Sequence, residues 1–249
     1  MFDFQQNQIF SKNLTGLCFM RFSMEKYLNI LQTAPLFAGL DQDEILSVLH
    51  CVNASVLKKR KDDYLFRAGD TTDTMGLVLT GSVLIIQEDI WGHRNILSRC
   101  SMGDFFGEPY AATPDSVLNI SVTAESDCEI LMLNVRRILT LCSSACARHQ
   151  KLIRNLTGVL ARKILIFNDK ITHISKRSTR AKLLSYLSAE SIRQNALSFD
   201  IPYDRQQLAD FLCVERAAMS AELSKLQKEG ILKTRRNHFE LNHGIDPIH

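Results

Sequence analysis

Residues 204–232, DRQQLADFLCVERAAMSAELSKLQKEGIL, constrain the fold more than any other stretch of the chain. They read as two short amphipathic helices around a tight turn with a third apolar element behind, the pattern of a helix-turn-helix. Asp204 stands at a helix N-cap, where its carboxylate accepts from the free amides of the first turn and complements the positive end of the helix dipole. Leu208, Phe211 and Leu212 recur at the three-to-four spacing of one buried face, and Ala209 leaves room for another helix. Cys213-Val214 supplies the turn. A second helix from about Glu215 turns Met219, Leu223 and Leu226 inward and Arg216, Ala217, Ser220, Ala221 and Ser224 outward. Solvent-facing helices are ordinarily richer in Lys and Glu. Small residues instead let base edges approach, and Arg216 in the first turn is placed to bridge O6 and N7 of a guanine. Gly230-Ile231-Leu232, then Lys233, Arg235 and Arg236, then Phe239-Glu240-Leu241 read as a glycine stop and a two-stranded wing. Its cations are phosphate contacts on this reading and a solvated turn on the plainer one.

The chain has 249 residues, 45% hydrophobic and 23% charged, which is enough for two cores and typical of soluble globular proteins. It has no run of about 18 apolar residues, so nothing is expected to span a membrane; no membrane partner and a cytoplasmic location are the expectations. Residues 176–249 hold 12 Lys and Arg against 9 Asp and Glu, which accounts for the whole formal charge of +3. So mild a bias fits a local patch that meets phosphates but does not identify one. Seven cysteines, an odd number with no CxxC pair, read as buried free thiols. Residues 1–23 lack the basic start and compact apolar core of a signal peptide, and Met24 opens the first helical pattern. They read as an N-terminal extension, disordered or loosely docked.

A helical entry covers 24–32, and a second helix, 41–52, lies behind an Asp41 cap. From Ala54 to Val135 short apolar runs alternate with turn signals: 64–66, 76–79, 82–86, 95–97 and 129–133 are separated by Gly69, Gly81, Gly92 and Gly103 among others. This spacing predicts an antiparallel double roll. From about Ala145 to Ile174 the pattern becomes one long helix, with Leu152, Leu156, Val159, Leu160, Lys163, Ile166, Phe167, Lys170 and Ile174 near one side. At about 1.5 Å per residue it extends roughly 40 Å, too far for one small barrel to cover. The same helix of a second subunit is the economical partner; packing across its own domains is the alternative.

Roll, long helix and winged helix-turn-helix in this order resemble the Crp/Fnr family of bacterial transcription regulators from about Leu31 to Leu241. Residues 66–70, 78–83, 103–108 and 205–209 are similar to local patterns of that family. The resemblance implies an α+β fold: a 1–23 extension, an effector-sensing β-roll of the cyclic-nucleotide-binding, jelly-roll type at 24–144, a dimerisation helix at 145–175 and a DNA-binding domain at 176–249. It further implies a homodimer on a palindromic operator, with half-sites about one DNA turn apart, RNA polymerase as a candidate partner, and an effector that repositions the long helices.

The departures are informative. Members that bind cyclic nucleotides carry Gly-Glu followed by Arg-Ser, the arginine neutralising the cyclic phosphate. This chain keeps Gly107-Glu108 but has Leu118 and Asn119 at the Arg-Ser positions, and Phe167-Asn168 where those members use Thr-Ser for adenine. A buried phosphate without a cation is costly, so cyclic AMP is not expected. Leu118, Ile120 and Phe167 either line an apolar pocket for an uncharged or aromatic effector, oriented by Glu108 or Asn168, or fill it themselves. On the DNA side, Arg205 and Gln206 match phosphate-touching positions and Arg216 a base-reading one. Ala217 and Ala221 replace the family's other readers, so the operator differs, with a thymine methyl the partner for Ala217.

Other members hold an iron–sulfur cluster or haem. Cys18 stands alone near the N-terminus, which removes the four-thiolate pattern. Cys142 and Cys146, one helical turn apart, are a metal or redox pair on one reading and two small core residues on the other. His50, His93, His149 and His173 read as surface or capping residues, and no metal site is expected. The leading class is therefore an effector-responsive DNA-binding regulator. The alternatives are a ligand- or partner-binding module with weak or lost DNA binding, which Glu215 near the backbone leaves open, and a thiol or haem redox sensor of the same fold. No phosphate loop, metal cluster or nucleophile–base pair supports an enzyme.

Overall fold

The alternating segment folds into eight strands: β1 (Ser55–Lys59), β2 (Tyr64–Phe66), β3 (Thr74–Thr80), β4 (Ser82–Glu88), β5 (Arg94–Ser101), β6 (Phe105–Phe106), β7 (Ser121–Ala124) and β8 (Cys128–Asn134). In the computed structural model, which describes residues 24–140 and 147–242, they form two four-stranded sheets, ordered β1-β8-β3-β6 and β2-β7-β4-β5. The pairs β1–β8, β3–β8, β3–β6 and β2–β7 are antiparallel. The 1–23 extension with Cys18, and the Cys142/Cys146 pair, lie outside the described residues. Strands β1, β6 and β7 went unanticipated: β1 is masked by its lysines, and β6 is only two residues long.

The chain divides into two compact units. One comprises the described residues up to Ile85 with Cys100–Arg162; the other comprises Ile86–Arg99 with the described residues from Lys163 onward. In the first, α1 (Leu28–Thr33) and α2 (Gln42–Cys51) pack on one face of the roll. The Asp41 carboxylate accepts from the Glu44 amide at 2.8 Å while Glu44 accepts from the Asp41 amide at 3.1 Å, a reciprocal cap that fixes where α2 begins. After α3 (Glu108–Ala112) and α4 (Val135–Leu139), the long helix α5 (Ala147–Ile174) sends Leu152, Leu156 and Val159 into the same core as Leu77 and Leu131. The Asn155 amide group donates to the carbonyls of Leu36 and Ala38, both at 2.9 Å.

This arrangement corrects the apolar stripe read from the sequence. Leu152, Leu156, Val159 and Lys170 are buried against their own chain, so much of that stripe is not open to a partner. A different row of α5 is exposed: Thr157, Ala161, Ile164, Asn168 and Ile171, with Leu165 beside it. Its four-three-four-three spacing is that of a coiled-coil seam.

The second unit contains α6 (Thr179–Gln194), β9 (Ser198–Asp200), α7 (Arg205–Leu212), α8 (Arg216–Lys228), β10 (Leu232–Arg235) and β11 (His238–Leu241). The wing is a three-stranded sheet ordered β10-β11-β9, one strand more than the spacing predicted. Helix α6 was not anticipated although its signals are present: Ser178 caps it by accepting from the Ala181 amide, and Leu183, Tyr186, Leu187 and Glu190 are buried at helical spacing. Lys170 is 5% exposed here. Its ammonium lies 3.2 Å from Asn95 Oδ1, donates to the Ile96 carbonyl, and sits 4.7 Å above the Phe211 ring centroid.

Desolvation lowers the Lys170 pKa from 10.5 to about 8. Between those two values the unfolded chain holds a proton that the native lysine has released, so stability rises with pH across the window, by up to about 3 kcal/mol. Urea titrations of the wild type and Lys170→Met at pH 7.5 to 10.5 are expected to show this rise only in the wild type. A difference constant with pH counts against a desolvated ammonium.

Two other expectations need correction. Cys100 and Cys128 are buried thiols, but Cys51, ending α2, and Cys213, in the α7–α8 turn, are exposed. Of the four histidines read as surface or capping residues, His50 and His93 are exposed, whereas His149 and His173 are buried, at 3% and 7% exposure. His149 Nε2 is 3.2 Å from the Arg137 carbonyl, and His173 Nδ1 is 2.9 Å from Ser185 Oγ. Burial lowers the His173 pKa.

Candidate functional site

Helix α7 begins at the Asp204 cap, whose carboxylate accepts from the Gln207 amide at 2.8 Å while the Gln207 side chain accepts from the Asp204 amide at 2.9 Å. It ends at Cys213, which adopts a left-handed φ of 53° and so turns the chain sharply into α8. Leu208, Ala209, Phe211 and Leu212 of α7 and Met219, Leu223 and Leu226 of α8 are buried. Burying these faces leaves Arg216, Ala217, Ser220, Ala221 and Ser224 exposed on α8. Lys182, which sequence reasoning missed, braces the turn from α6: its ammonium donates to the Leu212 and Cys213 carbonyls at 3.3 and 3.1 Å. A cation there satisfies carbonyls that the end of α7 leaves open. Arg180 on α6 reaches Glu222 on α8 at 3.3 Å and also pairs with Glu229.

The wing cations are exposed. Lys233 is 3.8 Å from Glu240 on the paired strand, and Arg236, with φ 55°, forms the tip. Gln206 is exposed and donates to Asp210 Oδ1 at 2.8 Å. Arg205 differs from its neighbours. It is only partly exposed, with its guanidinium 5.0 Å from the Phe239 ring centroid and Nη2 donating to Thr234 Oγ1 at 2.6 Å.

In the roll, Gly107 has φ 82° and a Cβ there would stand 2.6 Å from the Phe66 ring, so glycine is required on both counts. It delivers Glu108 into the interior at 1% exposure. Leu118 and Ile120 are also buried, at 2% and 5%, whereas Asn119 is exposed and accepts from the Tyr110 hydroxyl. Main-chain bonds at 2.8 Å, Gly69 N to Leu118 O and Leu118 N to Asp70 O, hold this segment in place. Phe167, half-buried, and Asn168, exposed, belong to the second unit. Residues 105–124 contain no Lys, Arg or His. Among the described residues no group of three or more His, Cys, Asp or Glu is placed to hold a metal, and no helix is long and apolar enough to cross a membrane.

Comparison with known proteins agrees with both halves. Residues 56–145 match the model of the cyclic nucleotide-binding domain and residues 181–243 that of the Crp-like helix-turn-helix domain. The chain belongs to the Crp/Fnr family of transcription regulators. It is 24% identical over 176 residues to the CRP-like protein Clp of Xanthomonas campestris pv. campestris, covering 69% of this chain and 76% of that one. In fold it is similar to the c-di-GMP-responsive global regulator CLP of Xanthomonas campestris, with a TM-score of 0.66 at 20% identity, covering 82% of this chain and 100% of that one. It is also similar to a CooA mutant of Carboxydothermus hydrogenoformans, with a TM-score of 0.61 at 18% identity over 78% and 85% of the two chains. Crp/Fnr proteins matched here are transcription regulators, not enzymes.

Proposed function

We propose that the protein acts as a homodimer that binds a two-fold symmetric DNA operator through α8 and answers to a small uncharged effector in the roll. The carrying observation is the outward row Arg216, Ala217, Ser220 and Ala221. It is exposed on a helix braced from behind by α6 and α7, and it combines one bidentate donor with small residues that let base edges approach. Gln206, Lys233, Arg235 and Arg236 flank it with phosphate-binding chemistry, and Arg205 stands beside them. Action on DNA places the protein in the cytoplasm, with RNA polymerase the next partner at a promoter. On the effector side, Glu108 and the apolar Leu118 and Ile120 occupy the segment where a cyclic phosphate would need a cation. Cyclic AMP is therefore not the effector. The c-di-GMP responsiveness named for the Xanthomonas regulator does not carry over to this segment, because its phosphodiesters would meet a carboxylate and no cation among 105–124.

The test is binding to fragmented genomic DNA across 50 to 200 mM salt. A small set of fragments retained at least about a thousandfold better than the rest, with affinity falling steeply as salt rises, supports the reading. Equal retention of all fragments, or of none, supports a regulatory module that has lost specific DNA binding.

A further inference from the structure

Arg205 is the one residue of the proposed DNA face whose polar head is engaged inside the protein. Its guanidinium lies over Phe239 of β11, and Nη2 donates to Thr234 Oγ1 of β10 at 2.6 Å. Burial lowers its pKa from the ordinary arginine value, and Nη1 is enclosed with no hydrogen-bond partner. Thr234 is a junction. Its hydroxyl donates onward to the His238 carbonyl at 2.9 Å across the wing hairpin, and its amide donates to Gln227 Oε1 of α8 at 3.0 Å. One residue of the wing is thus tied to the first residue of α7 and to the reading helix. The far edge of the wing is held separately, His238 Nδ1 lying 3.0 Å from Asp200 Oδ1 and Nε2 3.1 Å from Ser198 Oγ on β9.

We infer that Arg205 is a positioning residue that locks the wing to the helix-turn-helix through Thr234 and Phe239, so that Lys233, Arg235 and Arg236 meet phosphates while α8 reads bases. The inference rests on the DNA-binding reading above. With Nη1 enclosed and Nη2 on the Thr234 hydroxyl, the guanidinium does not present both terminal nitrogens to a phosphate unless it leaves the ring and the hydroxyl. A lysine at 205 would keep the charge but lose the planar fork, because an ammonium cannot lie flat on the ring while donating sideways.

Two substitutions that conserve formal charge test this, Thr234→Val and Arg205→Lys. Each is expected to loosen the wing, seen as faster deuterium uptake over 232–241. Each is also expected to flatten the dependence of log affinity on log salt by about 2 to 4 for a dimer, since each displaced wing drops one or two phosphate contacts worth about 0.9 apiece. A fall in slope in Thr234→Val, which removes no cation, comes from displaced wing cations and not from a contact deleted at the substituted residue. If Thr234→Val keeps the wild-type slope and exchange while Arg205→Lys alone weakens binding, Arg205 meets phosphate directly and the inference is wrong. If the wild type retains no DNA selectively, the DNA-binding reading fails on its own; wing exchange then decides the anchor, and unchanged uptake in both variants overturns it.

Discussion

The double variant Ile164→Glu, Ile171→Glu is expected to sediment as a monomer at concentrations where the wild type is a dimer, and to bind operator DNA at least a hundredfold more weakly. These side chains are 60% and 58% exposed, so neither substitution disturbs the core and circular dichroism should be unchanged. In a two-fold interface every substitution counts twice. Burying one isoleucine contributes about 1.5 to 3 kcal/mol, and a carboxylate forced into the same seam adds several kcal/mol of desolvation. The expected loss therefore exceeds about 5 kcal/mol, more than about a thousandfold in the dimer dissociation constant. Asn168 lies between the two isoleucines in this exposed row, and in the proposed seam one polar residue there would select register and oligomer state at some cost in stability. Splitting the dimer leaves each wing and α8 with a single half-site, which accounts for the weaker DNA binding. A variant that remains dimeric places the interface elsewhere. The self-packed stripe of Leu152, Leu156 and Val159 is already excluded by its burial in the first unit.

That contrast marks where sequence reading stops. Periodicity showed that α5 is long and amphipathic, yet it could not tell which apolar stripe the chain keeps for itself. The answer depends on where the roll and the α1–α2 connection happen to present Leu77, Leu36 and Ala38, which are distant in sequence. Local signals carried much better. Asp41 and Asp204 both cap helices, because a capping carboxylate and the amide it accepts from lie three residues apart. The buried and exposed rows of α7 and α8 follow from spacing alone. Residues acting across long separations stayed hidden. Lys182 bracing the turn 30 residues away is an unremarkable charge in the sequence, Lys170 is only one position of a helical stripe, and Arg205 reads as a phosphate contact, until the fold brings in Leu212, Asn95 and Thr234. Of the residues proposed for the effector site, Glu108, Leu118 and Ile120 are buried, whereas Asn119 and Asn168 are exposed.

Arg216→Ala is expected to remove specificity while leaving most of the general affinity for DNA. Arg216 is the first residue of α8, exposed, at the helix end that enters the major groove first. A bidentate arginine–guanine contact contributes about 1 to 3 kcal/mol of discrimination. A dimer makes it twice, so operator affinity should fall by about 2 to 6 kcal/mol, from some thirtyfold to beyond ten-thousandfold. Binding to unrelated DNA loses only one cation per protomer from a face that keeps Lys233, Arg235 and Arg236, and should change much less. Arg236→Ala is the control: a phosphate contact at the wing tip should weaken binding to every sequence alike and lower the salt slope by about 1 per wing. Competition titrations of operator against scrambled duplex separate the two behaviours. Should Arg216→Ala weaken both duplexes equally, Arg216 is a backbone contact. Sequence would then be read by the small residues Ala217, Ser220 and Ala221 through methyl contacts and groove shape, and the row that carries the functional proposal would be reading DNA without its one strong donor.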